Sequence, residues 1–500
     1  MKKYLKIIIF ALFVILSLIL GFYHEPWADE AQAWLIARDA SIGEIIFSVS
    51  RYEGSPSLWQ LILKLLISLK FPYEYYFLVP IFFTSIGVYI VLFKLEINDV
   101  FKILIPFTYF IAFEYGIKAR NYCLLLPILS MIAYLYNRRR EHVYLYNFFV
   151  MLLAFVSLHG AIISGILWIF EIIEILKQIG EKDGLKNYRK EIISTIIISI
   201  SYMFIIICLI PTDDVYVNIT ADSLKVYSFY NKCIYYGMSI LEAFSLKEEY
   251  YKIMVIPTLI ITLGMFYCIL KSNKYKSKFI SIFALELLFI GIVRVTEHHI
   301  GLVFLTFLFA TYLVKDGIND KYKKALTVLL TAVLCVQVFW YAKTYVADIK
   351  MDFSAGKTTA EYLSNVDYKN KKIYGTGYYL TAILPYFDNN IFIGPRGGKT
   401  YYVWGKSNDD WIWSSNTNEF LYPDILEDEP DIVVLQDYYD DAEEYYEENF
   451  GKEMYAYTKL IKKMKNNEKY KLTYFPGTII FKGADGSRDK EGFYVFERIK

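Results

Sequence analysis

What the 500-residue sequence lacks narrows the field before any motif is considered. Its five cysteines, at 123, 208, 233, 268 and 335, show no C-x-x-C spacing, so neither a disulfide framework nor a zinc site is indicated. No sign of charge dominates. The 53 Lys and Arg against 52 Asp and Glu leave +1, which argues against a nucleic-acid partner. There are only five histidines, and no internal repeat stands out. A Walker A loop is missing as well: Ile393 stands where GGKT (397–400) would need a glycine, and Met351 where GKTT (356–359) would need one. The Asn218-Ile219-Thr220 sequon carries little weight in a chain this rich in those residues.

What is present in excess is apolar sequence. The chain is 56% hydrophobic with a mean hydropathy of +0.32, against about 45–50% apolar for a soluble domain. The excess sits in long runs, so the expected class is a polytopic α-helical membrane protein. Most of the aromatics are Tyr (47) and Phe (37), and Tyr suits membrane interfaces. The opening MKKYLKIIIFALFVILSLILG has no small-x-small cleavage site and reads as a retained signal-anchor helix.

Candidate spanning runs are 5–21, 57–70, 75–93, 101–115, 121–136, 144–160, 161–178, 191–211, 252–271, 279–293, 298–314 and 324–342. Lys2, Lys3 and Lys6, the Arg138–Arg139–Arg140 triplet, and the loops 179–190, 271–278 and 315–324 mark the inner side. Four crossings between 57 and 137 would put the Arg triplet on the wrong side. One of those four runs is therefore expected not to cross; a half-span near Pro106 and a bent 57–93 region are the candidates. That leaves about 11 spans. The outer ends then gather 22–56, the neighbourhood of Arg120, His159, 212–251 and 294–299.

After residue 343 the apolar runs become short: KIYGTGYY, NIFIG, YYVW, DIVVLQ, KLTYF, TIIFKG and GFYVFERI read as strands. With helix-like acidic stretches such as DAEEYYEENF between them, residues 344–500 are expected to form a soluble α/β domain on the outer side.

Polar interruptions supply the candidate site. ADEAQAWLIARDA (28–40) has helical spacing and is expected to lie along the interface. Asp29 and Gln32 have capping-box spacing, so one reading makes Asp29 the helix cap and Glu30 a favourable charge at its positive end. The other makes Asp29 an ionised carboxylate able to take a proton from a hydroxyl. In SRYEGSPSLW (50–59), Arg51 and Glu53 precede a Gly and a Pro that re-aim the chain. In EYGIKARNY (114–122), Arg120 is a candidate phosphate ligand. His159 in SLHG, and Arg294, His298 and His299 in VRVTEHH, stand at outer helix ends; a metal there would need a carboxylate such as Glu53.

The order of these parts resembles the GT-C superfamily of integral membrane glycosyltransferases. An inner N-terminus, W-A-D-E-A in the first outer loop, E-G-x-P, A-R-x-Y, L-H-G and an outer C-terminal domain carry the resemblance over residues 1–310. It looks closest to the branch of protein O-mannosyltransferases, aminoarabinose transferases and Rgt-like enzymes. The resemblance implies a catalytic transmembrane domain (1–343) with an extracytoplasmic α/β domain (344–500), in a bacterial plasma membrane. It further implies inverting transfer from a polyprenyl-phosphate sugar to a polysaccharide, glycolipid or protein acceptor.

Asp29 then carries over as the base, with Glu30 beside it. Arg51, Arg120, Arg294, His298 and His299 become donor-phosphate candidates, and Trp27, Glu53, Tyr122 and His159 line the acceptor or sugar. Some relatives carry Lys-Pro-Pro after the second carboxylate, where this chain has Gly54-Ser55-Pro56 and so loses a cation. Some hold a metal with a His and that carboxylate. Here Glu53 and His299 form the candidate pair, and 212–251 has no His. No other cofactor is implied. Two other classes stay open: a transporter or flippase, for which repeat halves and mid-span charges would be expected, and a membrane-anchored binding protein working through residues 344–500. In the latter the GPRGG turn with Arg396 would be an anion-binding nest.

Overall fold

The computed structural model describes residues 1–181, 188–215, 229–247, 250–272, 276–292, 297–366, 368–375, 377–393, 398–405, 429–437, 456–483 and 490–499. Among these, seven helices are long and apolar enough to cross a membrane: Lys3–Tyr23, Tyr73–Phe93, Leu158–Gln178, Arg189–Leu209, Tyr251–Leu270, His299–Gly317 and Asp320–Lys350. Their outer faces stay apolar. Ile253, Ile256, Ile260 and Leu263 along one helix are 59–77% exposed. Such a stripe would be unfavourable in water and is at home in lipid. The chain is a helical membrane protein.

The two ends of the bundle hold different contacts. At one end the Met1 ammonium pairs with Asp99 at 2.6 Å, and Lys315 donates to the Glu96 carbonyl at 2.7 Å. Arg139 and Arg140 clamp Glu171, Glu174 and Glu191 there, at 2.6–3.6 Å. The helix Lys3–Tyr23 rises about 30 Å from that end and delivers His24 to the other.

Run 57–70 is not among the membrane-length helices. It forms only the 11-residue helix Leu58–Ser68, about 16 Å long, and lies along the helix Ala28–Asp39. Lys64 donates to the carbonyls of Ala37 and Ala40 at 3.1 and 2.7 Å. The flanks return to that same helix, Glu53 through Gln32 and Tyr73 through Trp34. Run 101–115 is not the continuous helix its hydropathy suggests. It breaks into Asp99–Leu104, a 3-10 turn at Ile105–Phe107 containing Pro106, and a π-turn at Phe110–Glu114. The proline removes an amide donor and interrupts the ladder. The fully buried rings of Tyr109, Phe110, Phe113 and Tyr115 pack what is left. The chain still passes from Asp99 at the Met1 end to Ala119, which donates to Glu30 at the other.

The C-terminal region carries a four-stranded sheet in the order β1-β2-β4-β3, with β1 Ile373–Gly375, β2 Ile432–Gln436, β3 Tyr470–Phe475 and β4 Phe493–Arg498. Strand β1 runs parallel to β2; β4 is antiparallel to both neighbours. Strand alternation explains the layering. Ile432 and Val434 face the helix Gly356–Asn365, whereas Val433 and Leu435 face Leu460, Ile461 and Met464. The first of these cores also takes in Ala28, Leu35 and Ile36, so the sheet domain rests on the helix Ala28–Asp39. Three expected strands differ. YYVW is coil with a bridge at Gly405, NIFIG gives only the Ile393 bridge, and TIIFKG gives only the Thr478 bridge to Lys490. Ile479 and Ile480 of that last stretch are buried in the membrane-helix core, and Lys482 donates to the carbonyls of Glu242 and Leu246. The segment DAEEYYEENF and most of the GPRGG turn, including Arg396, lie outside the described residues.

Candidate functional site

The helix Ala28–Asp39 is the seam between the membrane helices and the sheet domain, and its first turn sets the site. Its N-cap is Trp27, not Asp29. Glu30, at the third helical position, reaches back to the Trp27 amide at 3.2 Å, as a capping residue does. Glu30 is 1% exposed and fully engaged. It also accepts from Ala119 N at 2.5 Å and from His24 Nε2 at 3.2 Å, while His24 Nδ1 meets Asp348 at 3.1 Å. Burial opposes a charged imidazole, but Asp348 and Glu30 outweigh it and lift His24 to about 10. That contribution to stability is complete below the ordinary value of 6.5 and is lost as pH rises through about 10. The same first turn is held by the sheet domain, where Ala28 N donates to Glu491 at 3.0 Å.

Asp29 points the other way. Its Oδ2 lies 2.8 Å from Arg120 Nη1, with the side chains 21% and 17% exposed. Its Oδ1 accepts from the Tyr378 hydroxyl at 2.6 Å. The Arg120 guanidinium sits over the rings of Trp27 and Tyr122, at 5.9 and 5.3 Å from their centroids. Such stacking suits a flat cation. The site is therefore one ionisable pair, reachable by solvent and framed by aromatic faces.

Gln32 is the clamp beside it. Its amide nitrogen donates to Glu53 Oε1 at 2.9 Å and to the Tyr402 carbonyl at 2.7 Å; its oxygen accepts from Tyr402 N at 2.8 Å. Gly54, at φ 59°, ends the short helix Ser50–Glu53 in a left-handed turn. Burial pushes the Glu53 carboxyl up to about 7, and the nearby Asp29 adds to the rise. Between the ordinary value of 4.5 and about 7 the folded protein holds a proton that the unfolded chain releases, so stability falls as pH rises through that window. The substitution Glu53→Gln is expected to flatten this slope in thermal melts of detergent-solubilised protein between pH 5 and 8. An unchanged slope would place the titration elsewhere, Glu25, also raised to about 7, being the next group.

The other expected residues fall into four groups. Trp27, Glu53, Arg120 and Tyr122 join Asp29. His159 and His299 form an adjoining cluster, their rings 5.6 Å apart, with His159 Nδ1 at 2.5 Å from the buried Glu286 and His299 edge-on to Tyr122 at 5.9 Å. Arg51 stands in the short helix Ser50–Glu53, tied to other elements through Ser50–Cys208 and Tyr52–Asp214; its Nε is buried with no hydrogen bond among the described residues. Arg294 and the side chain of His298 lie outside the described residues. Among the described residues no three His, Cys, Asp or Glu side chains converge as a metal site requires.

Tyr378, Tyr402 and Glu491 were not anticipated. They come from the sheet domain, more than 340 residues away in sequence, and the first two lie in stretches read as strands. No family model, curated protein or solved structure matches the chain.

Proposed function

We propose that this protein is an inverting glycosyltransferase of the GT-C type, moving a sugar from a polyprenyl-phosphate donor to an extracytoplasmic acceptor. The observation that carries the reading is the Asp29–Arg120 pair, partly open to solvent at the domain end of the bundle and far from the Arg138–Arg140 cluster. An arrangement of 11 crossings accords with it. The triple-piece segment 99–118 would count as one crossing and Leu58–Ser68 as none, which puts the sheet domain and Asp29 opposite the Lys-rich N-terminus.

In this reading Asp29 accepts the proton of an acceptor hydroxyl while that oxygen attacks the sugar C1 opposite the phosphate. The C1–O bond to phosphate breaks, and the electron pair leaves with the lipid phosphate. Arg120 serves both partners. Without donor it neutralises Asp29. An arriving phosphodiester, singly charged like the carboxylate but with a matching fork of oxygens, competes for the guanidinium and frees the carboxylate. His299, whose ring meets Tyr122 edge-on at 5.9 Å, is the next candidate to contact that phosphate.

Incubating the purified protein with a panel of polyprenyl-phosphate sugars should release lipid phosphate from at least one. No release from any donor, with acceptor supplied from the native envelope, would overturn the reading. Arg120→Lys keeps the charge but loses the fork and the stacking; donor KM is expected to rise about tenfold. An unchanged donor KM would remove Arg120 from phosphate binding.

A further inference from the structure

We propose that the rings of Tyr378, Tyr402 and Trp404 form a carbohydrate-binding wall beside Asp29, so that the acceptor is a sugar and not a polypeptide. The inference rests on Asp29 being the base; it adds what that base acts upon.

The wall is built from three rings of the sheet domain. Tyr378 and Trp404 lie 4.7 Å apart at 44°, Tyr402 and Trp404 4.9 Å apart at 63°, and Tyr378 and Tyr402 5.6 Å apart at 83°. Tyr402 is buried, whereas Tyr378 and Trp404 stay partly exposed. Separate anchors hold them in place. The Tyr378 phenol is bound to Asp29, Gln32 grips both backbone groups of Tyr402, and Gly405 bridges to Val215. Rings fixed by second contacts form a preorganised surface instead of adjustable cover.

The chemistry of that surface matches a pyranose. A sugar ring offers a face of C–H groups that packs on aromatic faces as other apolar groups do, and a rim of hydroxyls. The Tyr378 hydroxyl, 2.6 Å from Asp29 Oδ1, already shows how a hydroxyl approaches this carboxylate from the ring side. A sugar stacked on Trp404 or Tyr378 would present its rim in the same direction. A polypeptide acceptor would call for a strand edge or a run of backbone donors. The groups flanking Asp29 are instead ring faces, a phenol and a guanidinium.

Saturation-transfer NMR on the full-length protein in nanodiscs tests this without donor, using methyl glycosides, short oligosaccharides and Ser- or Thr-containing peptides as probes. Saturation is expected on ring protons of at least one sugar and on none of the peptides. Trp404→Ala should weaken that binding about tenfold, and Trp404→Phe should restore most of it. Trp404→Leu fills the space without a ring and should bind as weakly as the alanine variant. Peptide binding without sugar binding, or sugar binding indifferent to Trp404→Leu, would overturn the wall. Sugar binding at the wall with no transfer from any donor would leave it standing and overturn the transferase reading; transfer to a peptide would do the reverse.

Discussion

Asp29→Asn is expected to lower transfer by about 10²- to 10⁴-fold, the range for losing a positioned base, while the protein folds and melts as the wild type does. The physical grounds lie in the two partners of Asp29. The asparagine oxygen can still accept from Tyr378, so the contact with the sheet domain survives. What disappears is the negative charge facing Arg120. Because both side chains are only partly buried, at 21% and 17% exposure, the stability cost is expected at about 1 kcal/mol, below that of breaking a fully buried pair. Turnover and melting temperature must therefore part company. Near-wild-type turnover in this variant would remove Asp29 from the chemistry. A collapse of folding would make it a structural residue.

The neighbouring substitution should behave in the opposite sense. Glu30→Ala is expected to destabilise the protein by about 3–5 kcal/mol, as breaking one side of a buried ion pair does. It strips partners from His24 Nε2, from Ala119 N and from Trp27 N, in a place where water cannot replace them. His24 would face Asp348 alone, and the start of the helix Ala28–Asp39 would lose its cap. Glu30→Gln keeps an acceptor for the amides and should lose less. Thermal melts and gel filtration in detergent measure both. An alanine variant as stable as the wild type would show that the network is not what fixes this turn.

This contrast explains how much could be read from the sequence. The adjacent acids in WADEA stand out in the sequence, and Arg120 in EYGIKARNY is recognisable as a cation set in apolar sequence. Their pairing at 2.8 Å follows from the two segments meeting at one end of the bundle. Which acid turns outward was not readable. A capping box can be counted from Asp29 to Gln32 or from Trp27 to Glu30, and only the packing of Ala119 and His24 around Glu30 decides the register. The topology conflict between 57 and 137 was visible from charge alone. The contacts of Leu58–Ser68 were not, because this run is as apolar as a short span and nothing local says that its length and both flanks bind the helix Ala28–Asp39. Tyr378 and Tyr402 were beyond reach for another reason. Nothing local in KIYGTGYY or YYVW says that these rings fold back onto residues 29 and 32.

The central claim is that Asp29 takes a proton from an acceptor hydroxyl as a sugar leaves a lipid phosphate at this site. The most direct measurement follows released polyprenyl phosphate and glycosylated acceptor together, in wild type and in Asp29→Asn, and reads the anomeric configuration of the product. The account predicts one lipid phosphate per inverted product in the wild type and neither in the variant. Retention of configuration, or equal turnover by the two proteins, would contradict it.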